Sequence, residues 1–264
     1  MVWDCHWHLG GAESGDDVLR ALDAAGVDRV CLFADYAGES SEAQNASIDR
    51  IAGIAAVDSE RIFGLAWIEP TLANAADDVE RAIADKGLRG VKMIPHHWEP
   101  CSEAIFPVYE RIERLGVPLM MHSGILFGFE DSSRFCRPVL YEGLIHFPKL
   151  RFSLAHIGWP WTDECLAVAG RFRAAVRKGD GEMQMFIDMA PGAPAPWRVD
   201  AIRKAIAYLG PERLMYGSDA APYCPEYSAE ILAAERRILQ QEIGLGADAM
   251  EQIMWRTCAA MFGV

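Results

Sequence analysis

Asp4-Cys5-His6-Trp7-His8 sets two imidazoles two residues apart near the start of the chain. Side chains on a β-strand alternate between faces with a period of two. His6 and His8 are therefore expected to share one face with Asp4, leaving Trp3, Cys5 and Trp7 on the other. Two imidazoles so placed can reach one ion, and neutral imidazole binds zinc, iron, nickel or copper well. Taken alone, a His-x-His pair is more often an ordinary pair of half-buried histidines at a strand end. The distinction rests on whether other parts of the chain bring further ligands to the same place.

Apolar segments that position these residues recur in strict alternation. Short strand-like runs are expected at Val30–Phe33, Ile62–Ile68, Gly90–Ile94, Val117–His122, Leu150–His156, Met185–Asp188 and Arg213–Tyr216. Between them lie helical patterns at Ser14–Ala25, Glu42–Val57, Asn74–Lys86, Ser102–Leu115, Val139–His146, Thr162–Lys178 and Val199–Leu209. Ser228–Gln241 and a closing helix at Asp248–Met261 complete the pattern. Eight strand–helix units predict parallel strands and a single (β/α)8 TIM barrel, residues 1–264, with an extra C-terminal helix. An open doubly wound sheet is the competing architecture, but no Gly-x-Gly-x-x-Gly follows a strand. In such a barrel the loops that follow strands form the catalytic rim.

The 264 residues are 51% hydrophobic, enough for a sizeable core. A net charge of −13 argues against nucleic acid or an anionic membrane as partner. Seven cysteines without Cys-x-x-Cys spacing fit free thiols in a reducing compartment. The first strand begins at Met1, which leaves no room for a signal peptide, and no apolar run is long enough to span a bilayer. A cytoplasmic enzyme of small molecules is the expectation, with a homo-oligomer compatible.

The barrel reading predicts where further ligands belong, at the ends of other strands. His122 ends the fifth, His156 the sixth and Asp219 follows the eighth, all residue types that bind zinc. Each singly has an ordinary reading, such as a histidine bonded to a carbonyl or an aspartate capping a turn. Five such residues at matching ends of four strands point instead to a shared metal centre. Lys92 faces inward from the fourth strand, where a salt bridge to Asp4 or Asp219, an anionic substrate or carboxylation would each account for it.

These motifs resemble the amidohydrolase superfamily, in particular the amidohydrolase-related branch that includes aminocarboxymuconate-semialdehyde decarboxylase. The resemblance covers essentially the whole chain. It rests on Asp4-x-His6-x-His8, Gly90-Val91-Lys92-x-x-Pro95, His122-Ser-Gly, Ala155-His156-Ile-Gly158, Tyr216-Gly-Ser-Asp219 and the stretch from Arg137-Pro138 to Phe147-Pro148-Lys149-Leu150. It implies that His6, His8, His122 and Asp219 are ligands of one divalent metal, zinc first, with manganese or iron as alternatives. His156 is implied either as a ligand or as the group that activates water. Where relatives often carry Gly-Asn-Ala before the final Leu-Phe, this chain has Thr257-Cys258-Ala259. Some lactonases of the branch work without metal.

The chemistry expected of such a centre is hydrolysis of an ester, lactone or amide. A bound divalent ion lowers the pKa of water from about 15.7 to about 7, worth roughly 12 kcal/mol. Asp219 and His156 are the candidate catalytic groups, Asp219 accepting the water's proton and His156 acting as a base or as an electrophilic hydrogen-bond donor. The alternative is a non-oxidative decarboxylase of an aromatic or unsaturated acid, which needs a cation for the carboxylate. Arg134 and Arg137, in the loop after the fifth strand, are candidates, and Lys92, His96 and His97 also lie at or near the rim. Trp98 and Trp159 join a set of rim aromatics suited to a flat organic acid or to lid and subunit packing. A barrel that binds without catalysing is the reading from outside enzymology.

Overall fold

The computed structural model of the protein describes residues 1–38, 40–176 and 184–264. Eight parallel strands pair in sequence order: Trp3–His8 (β1), Arg29–Phe33 (β2), Ile62–Trp67 (β3), Gly90–Met93 (β4), Leu119–Met121 (β5), Phe152–Leu154 (β6), Met185–Asp188 (β7) and Leu214–Met215 (β8). Only two residues of β8 are ladder-paired, yet the sheet closes. Cys5 donates its N–H to the Tyr216 carbonyl and His8 to that of Ala220, each at 2.9 Å. Helices interleave the strands, so the architecture is the expected TIM barrel.

Two apolar layers follow from the closure. Trp3, Cys5, Phe33, Phe63, Leu65 and Met120 fill the barrel's interior. A larger layer packs between the strands and the surrounding helices, with Val91 and Met93 of β4 in it. The C-terminal helix Thr257–Phe262 plugs the barrel's lower end: Cys258 and Met261 are fully buried among the interior residues, and Phe262 stacks 5.6 Å from Trp3. Thr257 donates its hydroxyl to the Pro211 carbonyl at 3.1 Å. Thr257-Cys258-Ala259 are thus buried against the barrel.

Strand β1 departs from simple alternation. Asp4 pairs opposite Val30 and Trp7 opposite Leu32, so β1 takes three steps where β2 takes two. That bulge changes which residues face inward. Trp3 and Cys5 sit inside the barrel, whereas Trp7 joins the outer layer. Asp4 therefore does not share a face with His6 and His8, as alternation implied. Its carboxylate instead accepts from His6 N (3.1 Å), Trp7 Nε1 (2.9 Å), Ser218 N (2.9 Å) and Ser228 Oγ (3.4 Å). It clamps β1 to the segment after β8. Replacing Asp4 by alanine leaves several buried donors without an acceptor, so stability should drop by about 3 kcal/mol. A fall in the urea midpoint at unchanged m-value would register it; an unaltered midpoint would contradict the clamp.

Helices largely follow the expected pattern. Ser14 caps the first helix (Gly15–Ala25) through a capping box with Asp17, and Gly26 ends it at φ +70°. Three differences stand out, two of them with local causes. Pro138–His146 is a run of 3-10 turns rather than an α-helix, since Pro138 removes a donor and Gly143 lowers helix propensity. The helix after β7 begins at Ala195, because Pro196 is tolerated in a first turn. The last helix carries a π turn at Gln252–Arg256. The helix after β6 spans Thr162–Val176, and the remainder of its expected range, to Lys178, falls outside the described residues.

Candidate active site

The upper ends of β1 and β8 bring three ligand-type atoms together. His6 Nε2 lies 3.1 Å from His8 Nε2 and 3.3 Å from Asp219 Oδ1, and His8 Nε2 lies 3.6 Å from that oxygen. The β1 bulge aims both imidazoles at one point. Asp219 reaches it from a left-handed backbone position, φ +58°, immediately after the turn Tyr216-Gly217-Ser218. A non-glycine residue there costs about 1–2 kcal/mol, an outlier of the kind stored at functional sites.

Beneath this trio sits a residue that reasoning from the sequence missed. Asp188, the last residue of β7, is 1% exposed and makes a short hydrogen bond to His6 Nδ1. It also accepts from Ala190 N at 2.7 Å. A proton held on Nδ1 leaves the Nε2 lone pair facing His8 and Asp219. This carboxylate–histidine pairing is the usual support behind a metal-bound imidazole. Burial alone would raise the Asp188 pKa, but the neighbouring His6 and the hydrogen bonds hold it well below the ordinary carboxylate value. The signal was legible: Phe186 faces the interior, so Asp188, two residues on, does too. Gly217 belongs to the same arrangement. A Cβ there would sit 3.0 Å from both Asp188 Oδ1 and His6 Cβ. Replacing Asp188 by asparagine should weaken divalent-metal binding by 10- to 100-fold, roughly, with ligands otherwise intact; calorimetric titration with Zn2+ measures this, and unchanged affinity would refute the supporting role.

His122 and His156 complete the floor. Their ring centroids are 4.9 Å apart, and that of His156 is 5.2 Å from that of His6. The His156 Nδ1 faces the Ala190 carbonyl at 3.3 Å, which assigns the proton to Nδ1 and leaves Nε2 basic. His122 Nε2 instead meets the Ile125 carbonyl at 3.2 Å. His122 is thus at the site but turned from the other three, and would have to rotate away from Ile125 to join them. After β6 the chain runs through three left-handed residues, His156, Ile157 and Gly158, which turn it sharply out of the barrel. Burial pushes the pKa values of His8, His122 and His156 down, aided by their mutual proximity and by Lys92. Neutral imidazoles are the form that binds metal.

Above the floor opens a cavity of about 250 Å³, walled by Trp67, Ile94, Leu126, Phe127, Phe129 and Trp159, with Gly192 and Pro191 on one side. Among the described residues its lining holds no lysine or arginine. Lys92 lies buried inside the barrel, its ammonium 4.3 Å from the Phe33 ring, with no carboxylate within ion-pairing distance among the described residues. Burial lowers its pKa to about 8 against the pull of Asp188 and Asp219. Arg137 pairs with Glu164 at 2.6 Å, and the largely exposed Arg134 pairs with Asp131 at 3.1 Å; neither lines the cavity. His96 and His97 stand behind Phe129 (His96 centroid at 4.6 Å), and Trp98 is buried in a separate groove beside Thr71 and Ile105. Of the expected substrate-binding residues, Trp159 alone faces the cavity.

Comparison with known proteins identifies the family and agrees with the fold. A family model described as Amidohydrolase matches residues 3–264. The chain belongs to the amidohydrolase family. Enzymes of this family use a divalent metal, and His6, His8 and Asp219 are a donor set that fits one. This amidohydrolase has the fold of 5-carboxyvanillate decarboxylase from Sphingomonas paucimobilis, at 19% identity, TM-score 0.70, over 100% of this chain and 99% of that one. It likewise matches the Novosphingobium aromaticivorans 5-carboxyvanillate decarboxylase, described with bound manganese, at 15% identity, TM-score 0.73, over 100% and 97% of the chains. A curated relative, dihydroorotase of Serratia proteamaculans, is 26% identical over 136 residues, 46% of this chain and 39% of that protein. The match thus spans less than half the length of that relative. No helix among the described residues is long and apolar enough to cross a membrane.

Proposed function

We propose that this amidohydrolase is a metal-dependent hydrolase that cleaves an ester, lactone or amide of a small organic molecule carrying a flat apolar group. The observation that carries this reading is the trio His6 Nε2, His8 Nε2 and Asp219 Oδ1, mutually 3.1–3.6 Å apart beneath an apolar cavity. His6, His8 and Asp219 would hold one divalent ion, with His122 available as a fourth ligand, and zinc suits that nitrogen-rich set. When bound, the ion supplies water of lowered pKa and polarises a carbonyl. Asp188 holds His6 in the ligating tautomer. His156, through its free Nε2, takes the proton from the attacking water and returns it to the leaving group. Trp67, Phe129 and Trp159 exclude water and sandwich the substrate's flat portion, and the cavity's modest volume restricts it to small molecules.

The cationless lining favours a neutral acyl substrate over a carboxylate. A second reading, decarboxylation of an aromatic acid, draws on the ring-sized aromatic walls; there the ion itself would be the carboxylate's counter-charge. The free cysteines suit a cytoplasmic setting.

The experiment is a chelator-dialysed preparation assayed against aryl esters, lactones and small amides, then against aromatic acids with carbon dioxide detection. Hydrolysis restored by added Zn2+ or Mn2+ supports the first reading. Carbon dioxide release without hydrolysis replaces it with the second. Turnover that survives both chelation and His6→Ala would overturn both.

A further inference from the structure

We propose that Glu69, His96 and His97 form a second divalent-cation site, one aromatic layer away from the cavity. Glu69 follows the end of β3 and is 2% exposed, a position where a carboxylate needs a compensating positive charge. Among the described residues no lysine or arginine pairs with it. Thr71 donates to Oε1 through N–H (3.1 Å) and hydroxyl (2.6 Å), which orients the group without neutralising it. The residues facing it are imidazoles, with His97 Nδ1 2.9 Å from His96 Nε2 and His96 Nδ1 also facing the Ile94 carbonyl at 3.2 Å. His97 Nε2 is 3.7 Å from Oε1 and His96 Nδ1 is 4.0 Å from Oε2.

Those two separations are too long for hydrogen bonds. They are the separations expected of ligands that share an ion. Two donors each about 2.1 Å from one metal are about 3.4 Å apart at the tetrahedral angle and at most about 4.2 Å apart. One ligand atom from each of the three residues falls within 4.8 Å of the others, so the three would close by up to about half an ångström around an ion. The donor set, one carboxylate and two imidazoles, suits zinc or a neighbouring transition metal. About a third of the His97 side chain is exposed, which gives an ion an entry path.

The site would tie the end of β3 to the loop after β4. His96 lies 4.6 Å from Phe129, which walls the cavity, and its Nε2 is 2.8 Å from the Tyr36 hydroxyl. Tyr36 in turn lies 5.0 Å from Trp67, another wall. Occupancy would therefore fix the side of the pocket that Phe129 and Trp67 wall. The proposal stands on these residues alone and does not depend on the hydrolase reading.

The test counts metal. Metal-free protein is equilibrated with Zn2+ alone, freed of excess, and analysed by elemental analysis and calorimetry, with circular dichroism to verify folding. Wild type should retain two equivalents, Glu69→Gln and His97→Ala one, and His6→Ala one. The doubly substituted His6→Ala/His97→Ala protein should retain none. His97→Ala removes a partly exposed side chain, so it keeps the test open if Glu69→Gln fails to fold. If Glu69→Gln or His97→Ala binds as many equivalents as wild type, the site does not exist and the cluster is a plain hydrogen-bonded array. A single wild-type equivalent lost with His97→Ala but kept in His6→Ala would support this site and overturn the catalytic one.

Discussion

Substituting His6 by alanine is expected to cost one equivalent of metal and about a thousandfold in kcat/KM. Two consequences are combined in that number. The ion loses one of three converging donors, leaving His8 and Asp219. Asp188, 1% exposed, loses its ring partner. Lewis-acid stabilisation is worth several kcal/mol, and about 4 kcal/mol corresponds to three decades of rate. An unpaired buried carboxylate destabilises a fold by about 3–5 kcal/mol. The variant should therefore also melt at lower temperature, which elemental analysis, steady-state kinetics and thermal denaturation together separate. Full metal content with wild-type turnover would remove His6 from the centre altogether.

His156→Asn should behave differently. Its loss is expected to lower kcat by roughly a thousandfold, the usual scale for a general base, while metal content stays at the wild-type level. The geometry behind this split is the ring's position. It lies beside His6 and His122, with Nδ1 at the Ala190 carbonyl and Nε2 left to the cavity. Burial lowers its pKa, so the ring is already the neutral, proton-accepting form at pH 7. A parallel loss of metal and rate in His156→Asn would make it a ligand rather than a base. Rate unaffected with metal intact would leave the proton to Asp219.

Gly192 explains why His156 has so little room to adjust. A Cβ at that position would approach the His156 Cβ to 2.6 Å, so the ring is held by backbone packed directly against it. Similarly, Gly124 adopts φ +99° with the Trp159 carbonyl where its side chain would be, locking the His122 turn to the segment after β6. The glycines in these motifs are the means by which separate strand ends come close enough to share one substrate.

Much of this was legible in the linear chain. Alternating apolar runs of strand and helix period specify eight units, and eight parallel units close into a barrel. Once the barrel is assumed, its rim collects whatever polar residues end the strands. His6, His8, His122, His156 and Asp219 were found that way, and all five reach one cavity. The family motifs lead to the same family that the whole-chain match identifies.

What the chain order could not supply was direction and pairing. Alternation placed Asp4 beside His6, but one extra residue in β1 turned Asp4 out to Trp7 and Ser228 and made it a clamp. Arg134 and Arg137 are on the correct loop yet satisfied by Asp131 and Glu164, because a cation in a loop pairs with whichever carboxylate the fold brings near. Asp188 matters through a proton on His6, 182 residues away in sequence. Sequence periodicity determines which face of an element is buried. Only closure of the barrel decides which buried polar groups meet, since hydrogen bonds and ion coordination depend on distances of a few ångströms that no local pattern encodes.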